Sequence, residues 1–432
     1  MTAAGTATAV RGWFAARPGL VVAVAVALVV RVVYGLVFVG DYFPLGDDLQ
    51  YYELATSVSQ GDGVSMLFPS LELHPSAFRP PLYPLVLGGS MAVFGDDPVV
   101  GQVVNVLIGL VVVALTWELT RRLAGRHAAL VAALLVAVFP PLVANDLVLL
   151  TEPLSLALLL WAALCLFDHR WLGAGIATGL LVLTRPSAQF LVLAFAAWLL
   201  WRVGWRKALA FLAVTALVVA PWIGRNWIRL GEPVLVTSNG FNMAAIYSPE
   251  AQASDGFVDP VYDDRFERYR LMMADELDWS QEMQRYGLSG LRQDPLYVLR
   301  VVQRNALGWF ELDPAQNEWA EERDGRDLDV RRATLWTFYL VTAVGWFGLV
   351  TRWRDPRVVL LMGTALYFTA GSLVLVSPPR LRAPFDLISC IGVGLAVAWW
   401  SERRSRSDDD PIGPEDAADA APDADVRAPT RP

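Results

Sequence analysis

The stretch GLVVAVAVALVVRVVYGLVFV, residues 19–39, decides the fold class of this chain. It is apolar over about 20 residues, the length that an α-helix needs to cross a bilayer. Arg11 and Arg17 precede it, but it is too long for the apolar core of a signal peptide and lacks a clear small-residue cleavage site. We therefore predict a retained first membrane-spanning helix.

Further apolar runs follow throughout the chain. Of the 432 residues, 55% are hydrophobic, and the mean hydropathy is +0.41, more apolar side chain than a soluble core of this size needs. The sequence therefore predicts an all-α polytopic membrane protein with about ten transmembrane helices. Their predicted starts lie near Gly19, Pro98, His127, Glu152, Trp171, Ser187, Lys207, Thr334, Val358 and Pro384.

The run from Pro80 to Gly95 is apolar but short and rich in proline and glycine. If it does not cross the membrane, the arginine clusters between the other runs all fall on the cytoplasmic side, as the positive-inside rule requires. We therefore predict that it forms a juxtamembrane helix in the outer leaflet. The first outer loop is then 40–97.

The predicted organisation has five parts. They are a cytoplasmic N-terminus (1–18), a transmembrane module that carries the candidate site and the first outer loop (19–224), an extracytoplasmic segment (225–332), C-terminal transmembrane helices (333–400) and a disordered acidic cytoplasmic tail (401–432). An amphipathic helix over 294–310 is predicted to lie on the membrane surface. The net charge of −8 gathers in the polar segments and the tail, and nothing in it indicates a nucleic-acid partner.

Cysteine and histidine patterns do not suggest a metal site. Cys165 and Cys390 lie inside apolar runs, where they resemble small buried hydrophobic residues. The three histidines are scattered and show no zinc-binding spacing. No metal ligands are predicted, no cofactor is firmly implied, and assistance by a divalent cation stays open.

Carboxylates in the first outer loop are the first candidates for chemistry. Asp47 lies four residues before Tyr51, and Asp48 lies four before Tyr52, so each pair shares a helix face. The alternative is that Asp47 or Asp48 only caps the helix that follows Gly46. Glu152 begins a later span on the same side of the membrane, where a carboxylate also suits the positive end of the helix dipole.

Arginines near the outer boundary could bind a phosphate, because a guanidinium donates two parallel hydrogen bonds. Five lie there, and each alone could be a headgroup anchor. They are Arg79, Arg185, Arg225, Arg380 and Arg382. Arg31, inside the first span, needs a partner, which is either a bundle acid or the substrate.

In these motifs the chain resembles the C-type superfamily of integral membrane glycosyltransferases, in the branch of protein O-mannosyltransferases and the lipid A aminoarabinose transferase. Asp47 with Tyr51 matches the acid-tyrosine spacing of that loop, and Arg79-Pro80-Pro81 matches its later basic-proline motif. Glu152 matches a second acid. Further matches are Thr184-Arg185-Pro186, Pro221-Trp222 with Arg225-Asn226, Ser238-Asn239-Gly240 with Asn242, and Arg380-Leu381-Arg382 with Pro384.

The resemblance implies transfer of a hexose or pentose from a polyprenyl-phosphate donor to an extracytoplasmic glycan, lipid or protein, with inversion. It implies a multi-pass enzyme of the cell membrane, surrounded by membrane lipids. Asp47, with Asp48 in reserve, is the expected base, and Glu152 orients the acceptor or the base. Arg79 and Arg382 are expected on the donor phosphate, with Arg185, Arg225 and Arg380 in reserve, and substrate-orienting roles fall to Tyr51, Tyr52, Tyr83 and Asn239.

One alternative belongs to another class: a transporter or flippase of a lipid-linked sugar. Transporters hold charged sites near the bilayer midplane, within repeated halves. Here the acids gather in the first outer loop, and the sequence shows no second half.

Overall fold

The computed structural model describes residues 17–40, 42–70, 72–313 and 315–409. Nearly all of these residues are helical. The strands within the described ranges form one short antiparallel pair, β1 (Ser65–Met66) and β2 (His74–Pro75), in which Ser65 lies opposite Pro75. The predicted all-α class is confirmed.

Nine α-helices of the described chain precede residue 231. They are α1 (Pro18–Tyr34, extended by a π-helical turn at Gly35–Val39), α2 (Asp47–Gln60), α3 (Leu82–Phe94), α4 (Pro98–Val138), α5 (Pro140–Asn145), α6 (Glu152–Phe167), α7 (Trp171–Val182), α8 (Leu191–Arg202) and α9 (Trp205–Leu230). A 3₁₀ turn at Pro186–Phe190 joins α7 to α8.

Eight more helices follow in the described part of the chain. They are α10 (Ser238–Tyr247), α11 (Pro249–Ser254), α12 (Glu276–Gln293), α13 (Tyr297–Trp309), α14 (Ala315–Arg323), α15 (Leu328–Thr351), α16 (Pro356–Val374) and α17 (Ala383–Asp409). Two 3₁₀ segments, Asp264–Ala274 and Pro379–Arg382, precede α12 and α17.

Six helical segments within the described ranges are long and apolar enough to cross a membrane. They are Pro18–Val39, Pro98–Val138, Trp205–Leu230, Leu328–Thr351, Pro356–Val374 and Pro379–Arg404. The 41-residue α4 breaks at Gly125, whose φ of 83° lies in the left-handed region, so this helix contains the two predicted spans that start near Pro98 and His127. Helices α3, α6 and α7 are apolar but shorter.

The C-terminal span is the centre of the bundle. About 83% of the apolar window in Pro379–Arg404 is buried by protein, against 22% in Pro18–Val39. Helix α17 packs on α15, α4 and α16, and α1 packs on α4. Exposed valine and leucine side chains on α1 form an apolar outer surface suited to lipid.

The polar segment between α9 and α15 contacts the first loop. Helix α12 packs on α10, and the buried carboxylate of Glu276 at its start accepts a hydrogen bond from the backbone N–H of Ala77 at 2.9 Å. We call the end of the bundle where residues 40–97 meet residues 231–327 the loop face. All the predicted site residues except Asn239 make the contacts described below at this face or next to it.

Several predicted boundaries shift. Helix α9 continues to Leu230, so Arg225 lies within it, and α15 begins at Leu328 rather than near Thr334 because Asp327 caps a polar first turn. The prediction of a disordered tail from residue 401 is wrong for 401–409, which extend α17 as a polar helix. The rest of that tail and nearly all of the predicted N-terminal part lie outside the described residues.

The amphipathic segment 294–310 forms α13 but does not lie free. Its Tyr297, Val301 and Trp309 side chains are buried. The amide of Asn305 donates to the backbone carbonyls of Leu373 and Leu375, both at 3.0 Å. Helix α13 is therefore docked on the end of α16.

Candidate active site

The two adjacent aspartates at the start of α2 have different environments. The carboxylate of Asp48 is fully buried and accepts backbone hydrogen bonds from Gly46 at 2.7 Å and Leu49 at 3.0 Å, and another from the Tyr42 hydroxyl. The side chain of Asp47 keeps 33% exposure and makes no such backbone contact. Asp48 thus takes the helix-terminus role that the sequence left open for either residue, and Asp47 is free for other contacts.

Asp47 is bridged between two arginines. One carboxylate oxygen accepts from Arg79 and the other from Arg380, which lies in the turn before α17. Arg79 also donates to Gln50 at 2.8 Å, and Arg380 lies 3.0 Å from the buried carboxylate of Asp324. The structure thus brings together residues from four distant parts of the sequence.

Opposing effects set the charge of the two acids that Arg380 contacts. Burial alone would raise the pKa of Asp47, but the guanidinium groups of Arg79 and Arg380 outweigh it and hold this pKa well below its usual range. Burial raises the pKa of Asp324 to about 8, against the opposing effect of Arg380. At neutral pH the group is therefore a carboxylate at Asp47 beside a protonated Asp324.

Tyrosines pack beneath this ion-pair group. The Arg79 guanidinium lies 5.5 Å from the centre of the Tyr51 ring, and Tyr51 meets the buried Tyr83 edge-on at 5.3 Å. Tyr52 points elsewhere, because its hydroxyl donates to the backbone carbonyl of Asp96 at 2.8 Å and closes the far end of the loop. Tyr51 and Tyr83 thus belong to the site, and Tyr52 supports the loop.

A second acid-arginine pair lies close by. Glu152, at the start of α6, is 3.9 Å from Arg185, and both are buried. One oxygen of Glu152 and the Nη1 of Arg185 have no hydrogen-bond partner. Burying such atoms without a partner is costly, so this pair has free hydrogen-bonding capacity for a ligand.

Arg382 lies apart from Asp47, although it is two residues from Arg380. It is fully buried, donates to the Trp309 carbonyl at 2.8 Å, and pairs with Glu311 and Asp386 at 3.2 and 3.1 Å. Residues two apart on a tight turn point in different directions, so Arg380 contacts Asp47 and Arg382, which was expected on the donor phosphate with Arg79, does not.

Two predicted residues lie outside the ion-pair group. Arg225 donates to the backbone carbonyls of Ser76 at 2.9 Å and Val64 at 2.6 Å, so its guanidinium holds the first loop in place. The side chain of Asn239 is exposed at the start of α10.

Arg31 is paired with a bundle acid, which was one of its two predicted partners, since its Nε lies 2.6 Å from the carboxylate of Asp146.

Sequence reasoning missed Asp324, Gln50 and Glu276. Asp324 lies in the charge-rich run EERDGRD, where no local pattern distinguishes it from its neighbours. Glu276 is buried and binds Ala77, Thr237 and His74, which fixes the backbone two residues before Arg79. Only the tertiary contacts distinguish these acids from surface charges.

The residues do not fit a divalent cation. Both oxygens of Asp47 face guanidinium groups, whose positive charge opposes a second cation. Across the ranges that the structure describes, no group of three histidine, cysteine, aspartate or glutamate side chains could hold a metal ion. The chemistry below therefore rests on the protein groups.

The fold and this site define a class: a multi-pass helical membrane protein with an acid-arginine site at the loop face. Residues 78–224 match the family model described as dolichyl-phosphate-mannose-protein mannosyltransferase. No curated protein sequence matches the chain at a significant level. The matched segment begins one residue before Arg79 and includes Glu152 and Arg185.

Solved structures share the fold. An archaeal oligosaccharyltransferase, AglB from Archaeoglobus fulgidus, in complex with an inhibitory peptide and a dolichol-phosphate, is 15% identical with a TM-score of 0.50. The match covers 93% of this chain but 52% of that chain, so our chain spans about half the length of this relative. The apo form of the Archaeoglobus enzyme gives a TM-score of 0.51 at 15% identity over 92% of this chain and 52% of that chain.

ArnT from Cupriavidus metallidurans, bound to undecaprenyl phosphate, matches over 91% of this chain and 81% of its own. It is 14% identical, and its TM-score of 0.38 is too low to establish a shared arrangement. The family match over residues 78–224 agrees with the predicted resemblance to the C-type integral membrane glycosyltransferases, and the oligosaccharyltransferase structures show that the fold is shared.

Proposed function

We propose that this protein is a membrane glycosyltransferase that moves a sugar from a polyprenyl-phosphate donor to an acceptor outside the cytoplasm. The observation that carries the proposal is Asp47 bridged between Arg79 and Arg380, beside the pair of Glu152 and Arg185. The family match to a dolichyl-phosphate-mannose enzyme, and the dolichol-phosphate in the AglB complex, support a lipid-phosphate donor.

The arginines suit the phosphate of such a donor. A donor phosphodiester carries one negative charge, and the departing polyprenyl monophosphate gains a second. Guanidinium groups on that phosphate therefore bind the transition state more strongly than the ground state, which is the requirement for catalysis. We assign this role to Arg79 and Arg380, and the Nη1 of Arg185, which has no hydrogen-bond partner, can bind the same ligand.

Donor binding would also activate the base. A phosphate competes with the Asp47 carboxylate for Arg79 and Arg380. Once these ion pairs weaken, the pKa of Asp47 rises toward its ordinary value, and the carboxylate becomes a stronger proton acceptor. Asp47 then takes the proton of the acceptor hydroxyl while the hydroxyl oxygen attacks the anomeric carbon.

The proposed reaction is a single displacement at the anomeric carbon. The acceptor oxygen forms a bond to the anomeric carbon as the bond from that carbon to the phosphate oxygen breaks. The proton moves to Asp47, and polyprenyl phosphate leaves with the electron pair. A single displacement inverts the anomeric configuration. We assign Glu152 the orientation of the acceptor, through the oxygen that has no partner among the described residues.

The test uses purified protein in lipid nanodiscs, supplied with polyprenyl-phosphate sugars and extracts of cell-surface acceptors. We expect release of polyprenyl phosphate, and we expect Asp47→Asn to lower turnover about 100-fold or more, the usual size of a general-base contribution. Asp62→Asn, a change of the same kind at an exposed position in the same loop, is the matched control.

Full activity of Asp47→Asn, at normal expression and folding, would exclude this mechanism. Movement of an intact lipid-linked sugar across the membrane, without covalent change, would instead favour a transporter. Mass spectrometry of surface glycans in a deletion strain would identify the sugar and show whether the acceptor is a protein hydroxyl, a glycan or a lipid.

A further inference from the structure

A cavity beside the Asp47 group has no role in the mechanism above. It encloses about 470 Å³ of empty space, part of it open to solvent. Apolar walls come from α1, α5 and α15. The charged side chains come from the end of α14, the start of α15 and the residues between them, together with Glu311 and Arg382. Its lining includes Tyr34, Ala144, Glu311, Glu321, Arg326, Arg331 and Arg382. We call this space the side cavity.

We propose that the side cavity binds the sugar of the donor, and that this sugar is uncharged. The inference rests on the proposed function for the identity of the ligand as part of a donor. The cavity itself, its unsatisfied polar atoms and its charge balance are independent of that function.

Four buried polar atoms on the lining side chains have no hydrogen-bond partner. They are the Nε of Arg326, the Nε and Nη1 of Arg331 and one carboxylate oxygen of Glu321. The side chains of Arg326 and Glu321 are 4% and 2% exposed. Buried polar groups are nearly always hydrogen-bonded, so this set of three donors and one acceptor predicts a polar ligand.

Each arginine that lines the cavity already has a carboxylate partner, and the remaining lining acid, Asp327, caps α15 by accepting from the backbone N–H of Val330. Arg326 pairs with Glu321 at 3.2 Å, and Arg331 pairs with Glu311 at 2.5 Å. Arg382, which also lines the cavity, pairs with Glu311 and with Asp386. A charged ligand would bring an unpaired charge into a buried site, which is strongly unfavourable.

Sugar hydroxyls fit the free atoms better than a phosphate does. A hydroxyl both donates and accepts, so one ring can accept from Arg326 and Arg331 and donate to Glu321. A phosphate would place its negative oxygens against the free Glu321 carboxylate. The apolar walls, with Tyr34 and Ala144 among them, suit the carbon faces of a sugar ring.

Backbone strain is present at the same place. Glu311 has a φ of 56°, in the left-handed region that residues with a side chain rarely adopt. Its carboxylate pairs with both Arg331 and Arg382. This residue ends α13 in the left-handed conformation common at helix C-termini, and its carboxylate holds two of the cavity arginines.

The side cavity adjoins the proposed phosphate site. Arg380 contacts Asp47, while Arg382 in the same turn lines the cavity. Asp324, which contacts Arg380, is two residues from Arg326. Arg326 also interacts electrostatically with Asp324, so a donor whose phosphate lies at Arg79 and Arg380 can extend its sugar toward the cavity.

The test measures binding to the full chain in nanodiscs, with methyl glucoside and methyl mannoside as uncharged probes. Methyl glucuronide and a methyl aminoglycoside are the charged probes. Ala144→Leu fills the cavity, and Ala216→Leu adds the same atoms on the exposed face of α9 as a control. We expect Ala144→Leu, but not Ala216→Leu, to weaken binding of an uncharged glycoside about tenfold or more, a difference that titration resolves readily.

A second variant, Glu321→Gln, keeps the side-chain shape and covers the case in which Ala144→Leu does not fold. We expect it to weaken the uncharged probes and to leave sugar-free polyprenyl phosphate unaffected. Absence of uncharged-glycoside binding to the unaltered protein would overturn the proposal, as would equal binding of the glucuronide. An equal loss of polyprenyl phosphate affinity in Ala144→Leu would show that the cavity holds the phosphate.

The two proposals can fail separately. If the uncharged probes bind and Ala144→Leu abolishes their binding, while no polyprenyl phosphate binds or is released, the cavity stands as a sugar site and the proposed transfer reaction fails. If polyprenyl phosphate is released from a donor but the probes show no dependence on Ala144, the transfer reaction stands and the sugar site lies elsewhere.

Discussion

Asp47 and Asp48 show how burial and partners divide two identical side chains. Asp48 satisfies backbone N–H groups at the start of α2 and binds Tyr42. Asp47 lies between Arg79 and Arg380, where a competing phosphate can release it. The same residue type thus stabilises the loop at one position and is available for chemistry at the next.

Asp48→Asn should destabilise the loop without removing the proposed base. The amide keeps the size of the side chain, but its NH₂ group cannot accept, so at least one buried donor loses its partner, at a cost of about 1–3 kcal/mol. We expect a lower thermal midpoint in nanodiscs and a smaller loss of turnover than in Asp47→Asn. The reverse order of the two activity losses would assign the base to Asp48.

Asp324 should make stability depend on pH. An unfolded aspartic acid ionises near pH 4, whereas Asp324 in the folded protein holds its proton to about pH 8. Between these values the folded state binds more protons than the unfolded state, so this residue lowers stability as pH rises through that window. Asp324→Asn should remove this contribution to the dependence of stability on pH.

The measurement is the thermal midpoint at several pH values between 5 and 9, the range that surrounds the pKa of about 8. Asp62→Asn, at an exposed position, should keep the slope of the unaltered protein. If the thermal midpoint of Asp324→Asn changed with pH as it does in the unaltered protein, another titrating group would cause the pH dependence.

The close contact between α15 and α17 fixes the position of α17 and of the turn before it, which carries Arg380. A methyl group added at Gly348 would lie 2.0 Å from the Gly392 carbonyl oxygen, and one added at Gly392 would lie 2.1 Å from that of Gly345. Small residues let helix backbones approach closely in membranes, where lipid supplies no hydrophobic drive for association. The central position of α17 therefore depends on glycine at this interface.

Gly348→Ala should separate these helices and destabilise the protein by about 1–3 kcal/mol, the usual cost of overpacking. Gly363→Ala in α16 is the matched control, since its added methyl meets no atom within 4 Å. Thermal unfolding of both variants provides the comparison. Equal stability of the two would show that the α15–α17 contact tolerates a wider spacing.

Charge bias along the whole chain predicts its orientation. Arginines cluster in the connections that the positive-inside rule places in the cytoplasm, and the candidate site lies at the opposite end. The activity proposed here requires that the loop face lie outside, because the acceptor is there. The orientation and the proposed function therefore depend on each other.

Cysteine labelling in intact cells tests the orientation. Cys165 and Cys390 are both buried and should not react with a membrane-impermeant maleimide. We expect Asp62→Cys to be labelled from outside, and Arg354→Cys, between α15 and α16, only after the cells are opened. If only Arg354→Cys were labelled in intact cells, the orientation of the protein would be the opposite of the one predicted.

Local sequence was enough to determine the class of fold and the candidate acids and arginines. Apolar run length, prolines at helix starts and charge bias are properties of neighbouring residues, so the predicted helix starts near Pro98, Glu152 and Trp171 agree with the helices observed. The spacing of Asp47 and Tyr51 and the motif that begins at Arg79 likewise needed no tertiary information.

Tertiary structure alone decided which of those groups meet. Asp47, Arg79, Asp324 and Arg380 are distant in the chain, and packing around α17 brings them together. Arg380 rather than Arg382 contacts Asp47, and Asp47 rather than Asp48 lies between two arginines, because of side-chain direction and burial, which a charge pattern does not encode. Contacts between charged residues that are distant in the chain form only when the helices pack. For this reason the sequence predicts the candidate residues, and only the fold shows which of them are in contact.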